Sequence, residues 1–233
     1  METINNSTPG IKLNSLYQLF GATWTVFTTH LKPLLLISLF TISPAIANQI
    51  LLSIFGEQPP RPIGLISSIL IVLSIATSIW GSIALITFLK ENGQLNISDA
   101  FNKNANLFWA YLWLMIIVSL IVLGGFVLLI IPGIIWAIYF CLASYSLVCE
   151  GIRGYAAAKR SKQLVKGYWW AVFGRLFLLG LTLIAIFFVF SPFIILGEIF
   201  YSIFILIISV LITPFSTIYS YQIYLNLKAI KGN

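Results

Sequence analysis

The chain has 233 residues, 60% of them apolar and 8% charged, with a mean hydropathy of +1.02. A soluble domain carries about 25% charged residues, and 13 basic plus 6 acidic side chains cannot cover a 26.0 kDa globule without exposing large apolar patches. Intrinsic disorder is excluded by the apolar content, and a transmembrane barrel by apolar runs longer than the roughly ten-residue alternation of barrel strands.

The sequence reads as one integral membrane domain over residues 1–233, all-α, with about six transmembrane helices and amphipathic interfacial helices. Residues 1–33 form an expected cytoplasmic segment with an amphipathic stretch at Ser15–Phe20. No cleavable signal peptide is expected, because the first long apolar run starts near Leu34. The first span covers 34–55 with Pro44 inside it. A turn at 56–62, rich in proline, cannot be helical throughout. The second span covers 63–89. A polar stretch at 90–106 leads into the third, 107–131, which Pro132-Gly133 is expected to break. The fourth, 134–149, is short and needs extension towards Ile152 to cross. The fifth covers 171–190 and ends at Ser191-Pro192. The sixth lies within 193–225, so the bundle is 34–225 and residues 226–233 are left as a cytoplasmic tail.

Lysine and arginine set the orientation. With the N-terminus inside, Lys12, Lys32, Lys90, Lys103, Arg153, Lys159, Arg160, Lys162, Lys166, Arg175, Lys228 and Lys231 are cytoplasmic, and Arg61 alone is outside. Both termini are therefore expected on the cytoplasmic side of a cytoplasmic (inner) membrane. Trp109, Trp113, Trp169 and Trp170 fall at the inner interface as an aromatic belt. The net charge of +7 reads as topology and contact with anionic lipid, not nucleic acid.

Three times a polar or amphipathic stretch precedes two spans joined by a proline-marked turn, in units 14–89, 98–152 and 154–225. Internal repetition and coincidence of topology both fit this pattern. In the third stretch Lys159, Lys162 and Lys166 share a helical face opposite Ala157, Ser161, Leu164, Val165 and Tyr168. That is the pattern of a basic helix lying in the interface with its apolar side in the acyl boundary. Lys159, Arg160, Lys162 and Lys166 are the candidate contacts for anionic lipid or for a membrane or cytoplasmic protein partner. Positive-inside topology with no further role is the competing reading.

Little in the chain suggests catalysis. The carboxylates Glu2, Glu57, Glu91, Asp99, Glu150 and Glu198 form no close pair in sequence, and no metal, nucleophile or phosphate-loop motif occurs. No enzyme activity, cofactor or metal is expected. His30 reads as an interfacial side chain. Cys141 and Cys149, about 12 Å apart on one helix, are too distant for a disulfide. Glu150 is expected to pair with Arg153 or the basic residues beyond it, and Arg175 to snorkel back to the interface. Ser74, Ser78, Ser82 and Gly81 form a small-residue stripe. Asn48-Gln49 could bond across helices or bridge a carbonyl freed by Pro44, and Pro214 is expected to kink the sixth span. The triplets at Asn5, Asn6 and Asn96 match glycosylation acceptors but lie on the cytoplasmic side. A transporter or channel lined by weakly polar side chains is the alternative to a scaffolding or lipid-contacting module.

The stretch 124–170 contains Pro132 and Gly133, then Glu150, then Ala157, Ser161, Leu164 and Gly167 before Trp169. It resembles the membrane domain of some glycerophosphodiester phosphodiesterases and the related YciC-like membrane proteins of unknown function. In that family the chemistry belongs to a separate soluble barrel, which this sequence lacks. The resemblance therefore implies a stand-alone membrane module and no activity.

Overall fold

Local signals set most of the helix ends. A capping box opens α1 (Leu16–Thr29): the Gln18 N–H donates to Ser15 Oγ, and the Ser15 N–H donates to Gln18 Oε1. α2 (Leu31–Phe55) runs through Pro44 and ends at Gly56. α3 (Arg61–Lys90) starts behind Pro60 with Pro62 in its first turn, where the missing N–H costs nothing. α4 (Ile97–Asn102) and a 3-10 turn at Ala105–Leu107 precede α5 (Phe108–Leu128). Then come α6 (Ile130–Phe140), α7 (Ala143–Glu150), α8 (Tyr155–Val165), α9 (Trp169–Phe190) and α10 (Glu198–Lys231).

This computed structural model describes residues 13–56, 60–191 and 198–232, without the side chains of 198–203. Glu2, Lys12, Glu57, Pro192, the Asn5 and Asn6 triplets and the side chain of Glu198 lie outside the described residues. The chain is all-helical, with no strand among the described residues. Among the described residues, six helical stretches are long and apolar enough to cross a membrane: Leu31–Phe55, Arg61–Lys90, Ile97–Leu128, Ile130–Glu150, Trp169–Phe190 and Phe204–Lys231. It is a multi-pass membrane protein.

Two boundaries differ from expectation. The third span stops at Leu129, whose backbone is extended (φ −165°, ψ 153°), and Pro132 and Gly133 lie inside the first turn of α6. Proline fits there because first-turn N–H groups have no intrahelical acceptor. The fourth stretch starts at Ile130 and is long enough, but it is interrupted at Cys141-Leu142. Residues 226–231 are no separate tail. They continue α10, and Leu227 is fully buried.

The three sequence units are visible as a short helix followed by two spans: α1-α2-α3, α4-α5-α6/α7 and α8-α9-α10. Each short helix packs chiefly on the second span of another unit: α4 on α3, α8 on α7 and α1 on α10. The ring of units is thereby closed. The second spans meet in the middle, where Tyr145 of α7 stacks on Tyr224 of α10 and donates to the Thr217 carbonyl.

Burial is concentrated at one end of the bundle. It takes in Ile83–Leu89 of α3, Leu142 to Val148, the inner face of α8 and Ile218 to Leu227 of α10. This end carries Lys90, Lys103, the α8 lysines, Lys228 and Lys231, and is called the basic end. Towards the other end, side chains such as Ile69, Val72, Leu120, Val127 and Phe188 are exposed, a surface that suits lipid and not water.

Close contacts inside the units rest on small residues. A Cβ at Gly133 would stand 2.5 Å from the Phe126 ring, and one at Gly125 2.9 Å from Gly133 Cα. The α5–α6 approach therefore needs both glycines. Between α2 and α3, Gly81 leaves room for Thr41, and Thr77 Oγ1 donates to the Thr41 carbonyl at 3.1 Å. The serine stripe is used only in part. Ser78 is exposed, and Ser74, Ser78 and Ser82 all bond back to their own helix. Asn48 bonds across helices, accepting from Ser67 Oγ at 2.7 Å, while Gln49 is exposed.

Candidate functional site

α8 is the most polar helix of the fold, and its placement explains its sequence. Ala157, Ala158, Ser161, Leu164 and Val165 are fully buried against α5, α6, α7 and α10. The expected burial of this face in an acyl boundary is therefore corrected: it docks on protein. Alanines and a serine suit a close helix–helix approach.

Ser161 occupies the interruption of the fourth span. Between α6 and α7 the helical hydrogen-bond ladder is lost, which leaves backbone groups to satisfy. The Leu142 N–H donates to Ser161 Oγ at 3.1 Å, and Ser161 Oγ donates to the Tyr139 carbonyl at 2.7 Å. One hydroxyl thus bridges the two halves.

Glu150, closing α7, is the second anchor. Its Oε2 accepts from Arg160 Nε at 3.0 Å and its Oε1 from Tyr224 OH at 2.6 Å, with Lys228 Nζ at 3.6 Å. The Glu150 side chain is 13% exposed, so this is a sheltered network joining α7, α8 and α10. Of the cations that follow Glu150 closely in sequence, Arg160 and not Arg153 pairs with it, since the turn at Gly151–Gly154 reverses the chain and brings α8 back past Glu150. An analogous pair joins the end of α3 to the segment after α4, with Lys103 Nζ 2.7 Å from Glu91 Oε1. The hydrogen bond from Lys103 holds the Glu91 carboxyl below the usual carboxylate range.

The far end of α8 is fixed from α10. Lys231 Nζ donates to the Lys166 carbonyl at 2.8 Å and lies over the Tyr168 ring, a cation at a helix C-terminus as the dipole favours. Gly167 then turns the chain at φ +89°, a conformation that other residues rarely adopt. Trp169 follows, half-buried, its Nε1 donating to the Ile135 carbonyl at 3.3 Å. It clamps α9 to α6, whereas Trp109, Trp113 and Trp170 are exposed.

What α8 leaves outward is cationic. Lys159, Lys162 and Lys166 are exposed, and none pairs with a carboxylate among the described residues. Lys159, Lys162 and Lys166 line a depression of about 350 Å³ with Tyr155 and Phe140. Beside it, Tyr139, Ile134, Trp169, Trp170 and Phe173 wall an apolar hollow of about 470 Å³. Lys162 Nζ stands 5.6 Å from the Tyr139 ring centre, at the border of the two.

Not every sequence candidate gathers here. Pro132 and Gly133 sit near the start of α6, about 25 Å along the fourth span from Glu150 at 1.5 Å per residue. Arg160 belongs to the sheltered network and not to the exposed row. The sequence alone does not mark Tyr224, Lys228 and Lys231 for this site. The run Tyr219, Tyr221, Tyr224 with two lysines beyond was the available signal, but nothing in sequence links it to Glu150 across 74 residues. His30 packs edge-on against Phe88 at 5.6 Å. Cys141 and Cys149 are free.

No curated protein and no solved structure matches the chain significantly. A family model described as Uncharacterised protein family (UPF0259) matches residues 62–226. The match runs from the first turn of α3 nearly to the end of α10, and includes Glu150, Ser161 and Tyr224. It agrees with the resemblance to uncharacterised membrane proteins and gives no support to the phosphodiesterase side of it. Since the match covers well over half of its length, the chain belongs to this uncharacterised protein family.

Proposed function

We propose that the protein is a non-catalytic module of the cytoplasmic membrane that presents α8 as a rigid cationic platform to anionic lipid of the inner leaflet, with both termini on the cytoplasmic side. The observation that carries this reading is the division of α8 between a fully buried face and the exposed row Lys159, Lys162 and Lys166. A helix held by Ser161, Glu150 and Lys231 presents these charges without further ordering cost. Each basic side chain near an anionic leaflet contributes about 1 kcal/mol, so the row is worth roughly 3 kcal/mol, about a hundredfold in preference. The hollow beside the row offers apolar and aromatic surface to the same lipid. A protein partner with an acidic surface would use the same platform.

Transport through a weakly polar interior is the alternative and has less support. Asn48 is engaged with Ser67, and the hollows beside α1, α5 and α6 have mostly apolar walls. The test compares full-length wild type with the Lys159→Gln/Lys162→Gln/Lys166→Gln variant in mixed micelles. Bound phosphatidylglycerol and phosphatidylcholine are counted by native mass spectrometry. The preference for phosphatidylglycerol should fall by ten- to a hundredfold. An unchanged preference refutes the platform.

A further inference from the structure

Two of the three units close their spans on each other along their length, whereas among the described residues the third pair meets at separated points, Tyr219 on Arg175 and the Phe190 ring on the Phe204 ring at 4.5 Å. α2 meets α3 where Gly81 admits Thr41, and α5 meets α6 at Gly125 and Gly133. α9 and α10 touch sparsely, Gly174 and Gly180 of α9 face open space, and Val172 alone among the α9 side chains is buried. The gap is a groove of about 560 Å³, walled by Leu178, Thr182 and Ile186 on one side and Leu211 and Tyr219 on the other, with Trp24 of α1 beside it.

Arg175 stands at the basic end of this groove, one turn before Leu178 on the same helix. It is half-buried, and its guanidinium donates to the Ala171 carbonyl at 2.9 Å and the Asn14 carbonyl at 2.6 Å. Tyr219, which lines the groove, donates to the Arg175 carbonyl at 3.2 Å. No carboxylate pairs with Arg175 among the described residues. Of its five N–H donors, three have no acceptor there. A half-buried cation without a counter-charge is costly, and a bound anion relieves that cost.

We propose that this groove holds one phosphate-headed membrane lipid, its acyl chain between α9 and α10 and its phosphate paired with Arg175. From Leu178 to Ile186 the groove runs about 12 Å at 1.5 Å per residue, an apolar length that an alkyl chain can follow. Inorganic phosphate would use Arg175 and leave the apolar walls unfilled. A neutral lipid would fill the walls and leave Arg175 unpaired. The site lies on α1, α9 and α10, away from the exposed lysines of α8, and is independent of the platform proposed above.

The experiment titrates delipidated full-length protein with dioleoyl phosphatidylglycerol, dioleoylglycerol or inorganic phosphate and reads binding by native mass spectrometry. Wild type should retain one phosphatidylglycerol, bind dioleoylglycerol more weakly and show no phosphate adduct. Thr182→Trp fills the groove without changing charge and should lose this lipid. Arg175→Gln should weaken phosphatidylglycerol about fivefold and leave dioleoylglycerol unchanged, while Arg175→Lys recovers part of the loss. The triple glutamine variant of α8 should keep this lipid, separating the two sites. Equal retention by wild type and Thr182→Trp overturns the proposal. So does phosphate binding as tight as the lipid, or an equal loss of both lipids in Arg175→Gln.

Discussion

Replacing Ser161 by alanine tests whether α8 holds the interrupted span together. Ser161 is fully buried, accepts the Leu142 N–H and donates to the Tyr139 carbonyl. The substitution removes both bonds and orphans the N–H of Leu142, a residue with 0% exposure. An interhelical side-chain bond in a membrane protein averages about 0.6 kcal/mol, because the dissociated helices find other partners. A buried backbone group left without any partner costs about 1–3 kcal/mol. The second figure governs here, since the ladder is already broken between Phe140 and Ala143 and cannot re-form its own bond. The expected loss is about 2 kcal/mol, roughly thirtyfold in the folded-to-unfolded ratio. Reversible unfolding of the full-length protein in mixed micelles, driven by rising SDS and followed by tryptophan fluorescence, measures it. Lys159→Ala, on the exposed edge of the same helix, should stay within about 0.5 kcal/mol. A loss of 0.6 kcal/mol or less for Ser161→Ala would falsify the bridging role.

The other predictions concern packing and charge. In a double-mutant cycle, Glu150→Gln and Arg160→Gln should couple by about 1–2 kcal/mol, below the value for a fully buried pair because both side chains keep some exposure; additive effects refute the anchor. Gly133→Ala should destabilise by about 1–3 kcal/mol because its Cβ meets the Phe126 ring, whereas Gly124→Ala, with nothing within 4 Å, should be neutral or slightly stabilising. Glu91 has a depressed folded-state pKa. Its pairing therefore supports the fold above the unfolded carboxylate value near ~4.3, and that support is lost as pH falls through the folded value. Lys103→Gln should move the Glu91 titration midpoint upwards in a carboxyl-carbon NMR titration, and an unmoved midpoint refutes the assignment to Lys103.

Sequence was a good guide wherever the physics is local. Span number and approximate limits follow from apolar run length, and the turn at Pro60 follows from proline chemistry. The expected helical face reaching Tyr168 is cut short: α8 ends at Val165 and Gly167 turns the chain before Tyr168. The three-unit layout was also visible, as a repeated order of short and long segments. What escaped was long-range. The periodicity of Ala157, Ser161, Leu164 and Val165 shows that a face is apolar and says nothing of whether lipid or protein covers it. The break at Cys141-Leu142 has no proline or glycine to announce it, and it is satisfied by a serine some twenty residues away. Glu150 was a candidate on its own, but its partners Tyr224 and Lys228 come from the last helix. Pro132-Gly133 sits in the first turn of α6 and not beyond the end of α5, because proline is as welcome in the one place as in the other.

The closed ring of units has a consequence for how the chain is made. α4 and α8 each rest on a span synthesised shortly before them, so they can dock as they emerge. α1 rests on α10, and the Asn14 carbonyl waits for Arg175, 161 residues later. α1, though made before the other described helices, acquires its resting place only with α10. Until α10 has been made, Leu19 and Phe27, buried in the folded protein, have no α10 against which to pack. Ribosome-bound intermediates should therefore expose α1 to proteases and insertases throughout synthesis and protect it only after the sixth span has entered the membrane.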